Sequence, residues 1–544
     1  MPTAQPLPKG LVPALTAIVY SVPDFMAQDT SQFVEQRAVD HSPDPPVKPG
    51  AAVRIAEYAL LAAVVAGVID TLRFAAYFIP MHFALNFEEG KVVNAGFRIM
   101  HGLTPYPPVG QPPYYVNVYG PVFYYVMAPL VRWFGISFTA PRLLVLASGL
   151  ATALFLVLLL RHWTKSWVIA LGFGLSFLAA SLVRDWIYVL RVDLFGLALV
   201  LAGLYVFVTS RRLLWPALLF LAALFTKITF LAAPVACILY LWFGGDEQSL
   251  LGKAKERRRA WRFTGWMLLF GSAGLVAFGL GTNGWGLFDM FMTHAGPYRL
   301  GLYVWRVRPF ALLNMGLVAG AIALAIDDVR RRHFSLPLLY VALASVMTLT
   351  AGKRAADGNH LLDWQAALCL AAGCGYYALR KRWRAEPVLA LIPIGVILLA
   401  VLGLGEHRQV NPALAGCPAA YHFAATQPGQ LLTENPGIAT FSGKKIWLND
   451  SFEYSTLGRV GRLDQRPLIR MVRKRYFSVI LLGGNLPELQ RAVEPSRRDS
   501  AIWPPQFVSA LARNYHPVAS FACAYANTAY EPNATPKTAK DPPH

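Results

Sequence analysis

Two adjacent carboxylates, Glu88 and Glu89, open the stretch FEEGKVVNAGFRIMHGLTPYPP (87–108), immediately after a long apolar run. An ionised acid beside hydrocarbon is costly unless it is paired, capped or wet. The pair is therefore a candidate for a base held at a membrane edge. The bland alternative is a helix start, where carboxylates are stabilised by the positive end of the helix. On a helix adjacent side chains diverge by about 100°. A shared pocket then receives one glutamate, while the other caps amides or pairs with a cation.

Three further groups carry comparable chemistry. Arg184, Asp185, Arg191 and Asp193 fall within ten residues. Read as one helix, the segment sets Asp185 with Asp193 and Arg184 with Arg191 on common faces, either as a self-satisfied network or as part of a site. Asp193 stands out because an apolar run follows it directly. Lys227, in FTKITF, is either a snorkelling lysine or a fixed cation facing a phosphate. Arg306, Arg308 and Lys353 lie in polar stretches with His294 and His360. Guanidinium groups in that number suit phosphate recognition, and they suit attraction to anionic lipid as well. The isolated histidines form no zinc motif, and no phosphate-cradling glycine loop occurs in a strand-to-helix setting.

The elements that must position these residues are written in the composition. Of 544 residues, 55% are hydrophobic and 15% charged, a balance that points to a polytopic membrane protein. The net charge of +20 would suggest nucleic acid in a soluble chain. Here the placement of the basic residues governs, and no nucleic-acid partner is read. Eleven apolar runs begin near residues 56, 141, 166, 189, 213, 229, 263, 309, 335, 364 and 386. Counting 213–243 as two runs around Lys227 puts every dense basic turn on one side, the cytoplasmic side. These turns include KAKERRRAWR (253–262), Arg330–Arg332 and Arg380–Arg382. The expected topology is about eleven transmembrane helices in a bacterial inner membrane, with a cytoplasmic N-terminus.

That topology leaves the first outer loop (83–140), 181–193, 282–309, 351–364 and the tail on the outer face. VVNAGFRIM reads as a helix along the membrane surface, with Val92, Phe97 and Met100 touching lipid or bundle. YYVNVYGPVFYYVMAPLVRWFG (114–135) reads as a second interfacial helix. The domains expected are a loose segment 1–50 (with LVPALTAIVYSV as a possible peripheral helix), a membrane region 51–404, a small α/β domain 405–530, and a flexible tail 531–544. Cys417 and Cys523 bracket the small domain in an oxidising compartment, either as a disulfide or as two buried thiols. Cys237, Cys369 and Cys374 read as packing residues.

With these residues in order, the chain resembles the GT-C membrane glycosyltransferases, in particular the branch of bacterial aminoarabinose transferases and protein O-mannosyltransferases. The resemblance runs through Glu88-Glu89-Gly90, Gly102 with Pro105 and Tyr106, and YGPVFYYVMAPL (119–130), which includes Tyr119. It continues through Arg142, Asp193, TKIT (226–229) and the GK…GNHLL stretch (352–362). It implies an inverting transfer of a sugar from a polyprenyl-phosphate donor to an envelope glycan, lipid or protein at the outer membrane face. By position Glu88 takes the acidic role. Relatives often carry Asp-Glu where this chain has Glu-Glu, so Glu88 and Glu89 both stand as the base. Asp193 is expected to position neighbouring groups. Lys227, Arg191, Arg306, Arg308 and Lys353 are expected to hold the donor phosphate, and Arg184, Tyr106, Tyr119, His294 and His360 the substrates. A divalent cation on Glu88 and Asp193 remains an open reading. The rival readings are a lipid-linked-sugar flippase and a noncatalytic envelope assembly protein.

Overall fold

The computed structural model describes residues 50–243, 250–293, 297–354, 356–382, 391–398, 411–494 and 502–534. The expected N-terminal peripheral helix, His294 and the end of the tail lie outside them.

Apolarity builds a helical bundle. Each of the eleven apolar runs meets a helix among the described residues. By length and composition, however, only Ala51–Phe78, Thr139–Thr164 and Lys255–Gly281 reach the roughly 20 residues a bilayer crossing needs. A fourth candidate is the pair Leu300–Leu313 and Met315–Arg331, which bends by 85° at Asn314. Trp167–Ala179, Asp193–Thr209, Leu214–Leu224, Ala232–Phe243 and Leu336–Gly352 are shorter apolar helices. Leu214–Leu224 stops before Lys227 and Ala232–Phe243 begins beyond it, so this run divides in two. Small residues let the helices approach closely: a Cβ on Gly375 would land on the backbone of Gly320.

Two local expectations are corrected. The segment 181–193 is not one helix: Ser181–Trp186 ends, and Asp193 opens the next helix, Asp193–Thr209. The stretch 282–309 is not a plain loop either, because Leu300–Leu313 is helical and carries Arg306 and Arg308. Phe87–Met100 and Pro121–Phe134 are both helices. Val92 is fully buried, and Phe97 and Met100 pack on the same core, so these residues contact the bundle.

The chain ends in a small mixed sheet. Strands β1 (Leu431–Thr433), β2 (Val479–Leu482), β3 (Tyr515–Ser520) and β4 (Thr528–Pro532) lie in the order β1-β2-β4-β3. β1 and β2 are parallel, and the other two pairings are antiparallel. β1 and β2 are buried along their whole length, as expected of parallel strands covered on both faces. β4 runs to Pro532, and the Asn533 amide donates to the Asn514 carbonyl at 2.8 Å. The ordered domain thus continues past the expected boundary at residue 530.

Cys417 and Cys523 form a disulfide that closes 106 residues of chain. Cross-linking a loop of that length restricts the unfolded chain and is worth about 4–5 kcal/mol in the chain-entropy account. Replacing both cysteines with alanine is therefore expected to lower the unfolding midpoint of the outer domain by several degrees. Differential scanning calorimetry of the protein in nanodiscs, with and without reductant, measures the shift; equal midpoints would contradict it.

Candidate active site

The site is assembled around the first turn of Phe87–Met100. The Asn86 side chain caps this helix by accepting from the Glu88 amide at 3.0 Å. Fixing that turn sends the two glutamates in different directions.

Glu89 turns into the bundle, where it and Arg142 are both completely buried. Its Oε1 accepts from Arg142 Nε at 2.9 Å and from the Leu190 amide at 2.8 Å. Its Oε2 accepts from Arg142 Nη2 at 2.7 Å and from the Leu85 amide at 2.6 Å. The same guanidinium donates to the carbonyls of Met81 (2.7 Å) and Phe83 (2.8 Å). Glu89 has four donors on two oxygens, a saturated structural position with no capacity left for a substrate hydroxyl.

Glu88 turns the other way and meets Lys91, three residues on, whose Nζ lies 2.7 Å from Glu88 Oε2. Lys91 also pairs at 2.7 Å with Asp450 of the C-terminal domain. Burial alone would lower the Lys91 ammonium, but Asp450 and Glu88 outweigh it and hold it well above the usual lysine range. Asp450 also serves as a helix cap, its Oδ1 accepting from the Glu453 amide at 2.9 Å at the start of Ser451–Arg459. Glu453, raised well above the usual carboxylate range by burial and by the Asp450 charge, completes this acidic corner.

A second group gathers at the start of Asp193–Thr209. Asp193 Oδ1 accepts from Lys227 Nζ at 2.6 Å and from Asn359 Nδ2 at 3.0 Å, while its Oδ2 lies 3.4 Å from Arg191 Nε. Arg191 Nη2 donates to the Tyr119 hydroxyl at 2.5 Å. The Tyr119 ring centroid in turn stands 5.8 Å from Lys91 Nζ. Tyr119 thus contacts members of both groups, and the Glu88 charge also acts directly on Arg191. Gly120 must be a glycine, because a Cβ there would strike the Phe225 carbonyl just before Thr226 and Lys227.

Of the residues singled out from the sequence, Glu88, Tyr119, Arg191, Asp193 and Lys227 come together. Tyr106 supports them from beneath, donating to the Tyr119 carbonyl at 2.8 Å. Others are placed elsewhere. Arg184 faces Asp70 at 3.6 Å and stacks on Phe74, while Asp185 points to solvent. Arg306 donates to the carbonyls of Ala351 and Lys353, so it holds the outer loop in shape. Lys353 pairs through its backbone with Tyr298, Arg308 is exposed, and a His360 ring nitrogen bonds the Thr350 hydroxyl at 2.9 Å. Lysine or arginine stands beside both Glu88 and Asp193. Among the described residues no three His, Cys, Asp or Glu side chains are placed to share a metal.

Sequence reasoning passed over Lys91, Asp450 and Glu453, and named Asn359 only as part of the GNHLL stretch. Two local signals were available: the i,i+3 spacing of Glu88 and Lys91, and the D-x-x-E pattern of a helix start at Asp450–Glu453. Asp289 is a further buried carboxylate. Its Oδ2 accepts from the Asn117 amide at 2.8 Å, and burial pushes it up to about 7.

The chain is similar in fold to ArnT from Cupriavidus metallidurans bound to undecaprenyl phosphate, at 13% identity and a TM-score of 0.56, over 87% of this chain and 98% of that one. The same protein in the apo state gives 14% identity and a TM-score of 0.56, over 86% and 97%. The archaeal oligosaccharyltransferase AglB from Archaeoglobus fulgidus, in complex with an inhibitory peptide and a dolichol-phosphate, gives 11% and 0.47, over 85% and 72%. No family model and no curated protein matches the chain.

Truncating Arg142 to alanine strands a buried carboxylate and is expected to cost about 3–5 kcal/mol. It should appear as a large fall in the unfolding midpoint, whereas Glu88→Gln, which leaves Lys91 paired with Asp450, should stay near wild type. Asp289 gives a pH signature. Its carboxyl rises from 3.8 to about 7 on folding, so the folded state binds the proton more tightly. The stability this contributes is complete below about pH 4 and is lost as pH climbs through 7, at up to about 1.4 kcal/mol per pH unit. Asp289→Asn should therefore gain on the wild type between pH 5 and pH 8, measured as the difference in midpoints; a constant difference would contradict the assignment.

Proposed function

We propose that this chain is a membrane glycosyltransferase that moves a hexosyl or pentosyl group from a polyprenyl-phosphate donor to an acceptor hydroxyl, with inversion. The observation that carries the reading is a carboxylate with accepting capacity left, Glu88, whose charge acts on Arg191, which is anchored with Lys227 on one aspartate. A fold similar to a protein solved with undecaprenyl phosphate supports it, as do the motifs shared with the GT-C enzymes.

In the proposed step the acceptor oxygen approaches the anomeric carbon from the side opposite the phosphate. Glu88 accepts the hydroxyl proton as the new C–O bond forms, which requires hydrogen-bond reach to that hydroxyl. The bond from the anomeric carbon to the phosphate oxygen breaks, and polyprenyl phosphate departs with the electron pair. Arg191 and Lys227 stabilise the growing charge; fixed donors of this kind act most strongly where water is excluded. Asp193 touches neither reactant in this scheme and serves to position both cations. Lys91, held by Asp450, keeps the Glu88 carboxylate in place.

The membrane arrangement proposed with this chemistry has about eleven passes in a bacterial inner membrane, a cytoplasmic N-terminus and the site on the outer face. Envelope glycan, lipid and protein are the acceptor classes to be tested.

Glu88→Gln removes the base while keeping the shape of the side chain. Turnover of radiolabelled polyprenyl-phosphate sugars should fall by about 10²–10⁴-fold, with the unfolding midpoint unchanged. Full turnover by Glu88→Gln would remove that residue from the role of base.

A further inference from the structure

The helix that Asp450 caps leads away from the site to a surface the catalytic scheme does not use. Ser451–Arg459 starts beside Lys91 and Glu88 and extends about 13 Å at 1.5 Å per residue. From its last residue to residue 475 the chain carries seven cations and one acid, Asp464. Within that stretch the helix Arg466–Arg473 buries Leu468, Ile469 and Val472 in the domain core. Arg466, Arg470 and Arg473, spaced i, i+4 and i+7, form a single exposed stripe, in which Arg466 forks onto Asp464 at 2.9 and 3.0 Å and Arg470 and Arg473 face the groove.

The stripe forms one bank of an open groove of about 930 Å³, with Gly458, Gly461 and Gln506 also lining it. The segment 462–464 beside the groove is tied to two neighbouring loops. Arg462 Nη1 donates to the Met292 carbonyl at 2.6 Å, three residues beyond Asp289. The Tyr114 hydroxyl donates to the Asp464 carbonyl at 2.6 Å, in the loop that leads to Tyr119. These two bonds join the chain beside the groove to the segments around Asp289 and Tyr119.

We propose that this groove binds the acceptor, and that the acceptor is an anionic glycan carrying phosphate or carboxylate groups along its chain. The inference rests on the glycosyl-transfer reading and names the class of acceptor for it. Guanidinium groups in a row recognise successive anionic substituents with paired hydrogen bonds, while the Gln506 amide suits sugar hydroxyls. At Gly461 nothing lies within 4 Å of where a Cβ would stand, which leaves space there for a saccharide ring. A bilayer surface fits less well, because a membrane-bound helix inserts its apolar face and here that face is turned into the domain.

The test uses the full chain in nanodiscs of phosphatidylcholine and a phosphorylated hexasaccharide, with its dephosphorylated form as control. The phosphorylated probe should bind at least ten-fold more tightly than the control. Arg470→Gln with Arg473→Gln should abolish most of that preference without moving the unfolding midpoint, since both side chains are exposed. Glu88→Gln should bind the probe as wild type does, which separates failure of the groove from failure of the chemistry. Equal binding of the two saccharides, or an unchanged preference in the double variant, would overturn the proposal. So would inorganic phosphate competing as well as the hexasaccharide, or arginine-dependent binding confined to vesicles containing phosphatidylglycerol.

Discussion

A buried guanidinium must place its donors on protein oxygens, because no water is there to take them. In this chain Arg142 does so by reaching Glu89 and the carbonyls that follow the helix Ala51–Phe78. Glu89 then uses its remaining lone pairs on the amides of Leu85 and Leu190. One ion pair therefore fixes the exit of the first long helix, the start of Phe87–Met100 and the residue immediately before Arg191. Once Glu89 is held, the helical twist decides where Glu88 points. Once Leu190 is held, Arg191 is delivered to Tyr119 and Asp193.

The same logic makes the C-terminal domain part of the site. Lys91 has no exposed surface, so its charge needs a carboxylate partner, and Asp450 of that domain supplies one beside Glu88. The chain runs 114–117 along 447–449 through the Tyr114 and Asn449 backbone bonds and the Asn449 side chain. Gly90 completes the join, since a Cβ there would land on the Gly437 backbone. Acids that look redundant in the sequence thus divide into a structural pair and a group left facing the site.

Much of the membrane architecture was legible because hydrocarbon imposes a simple rule on composition. The helix positions, the division at Lys227, the helices at 87–100 and 121–134 and the small α/β domain all follow from apolar runs and their interruptions. The number of full crossings did not follow, because a run of apolar residues sets a helix but its length depends on where packing and polar residues end it. The basic residues were the hardest to place. Arg306 and Arg191 are indistinguishable as letters, yet one props up a loop and the other lines the site.

By itself, the sequence determined that the chain would bury long apolar helices and carry acids close to their ends, since neither feature depends on partners far away. It also set Glu88 and Glu89 about 100° apart, because helical geometry is local. Which of them would be sealed by Arg142, and that Lys91 would find Asp450 359 positions along the chain, only the tertiary structure decided. Those choices rest on matching buried charges across distant segments. Only folding brings such partners close enough for one ion to replace the water that another has lost.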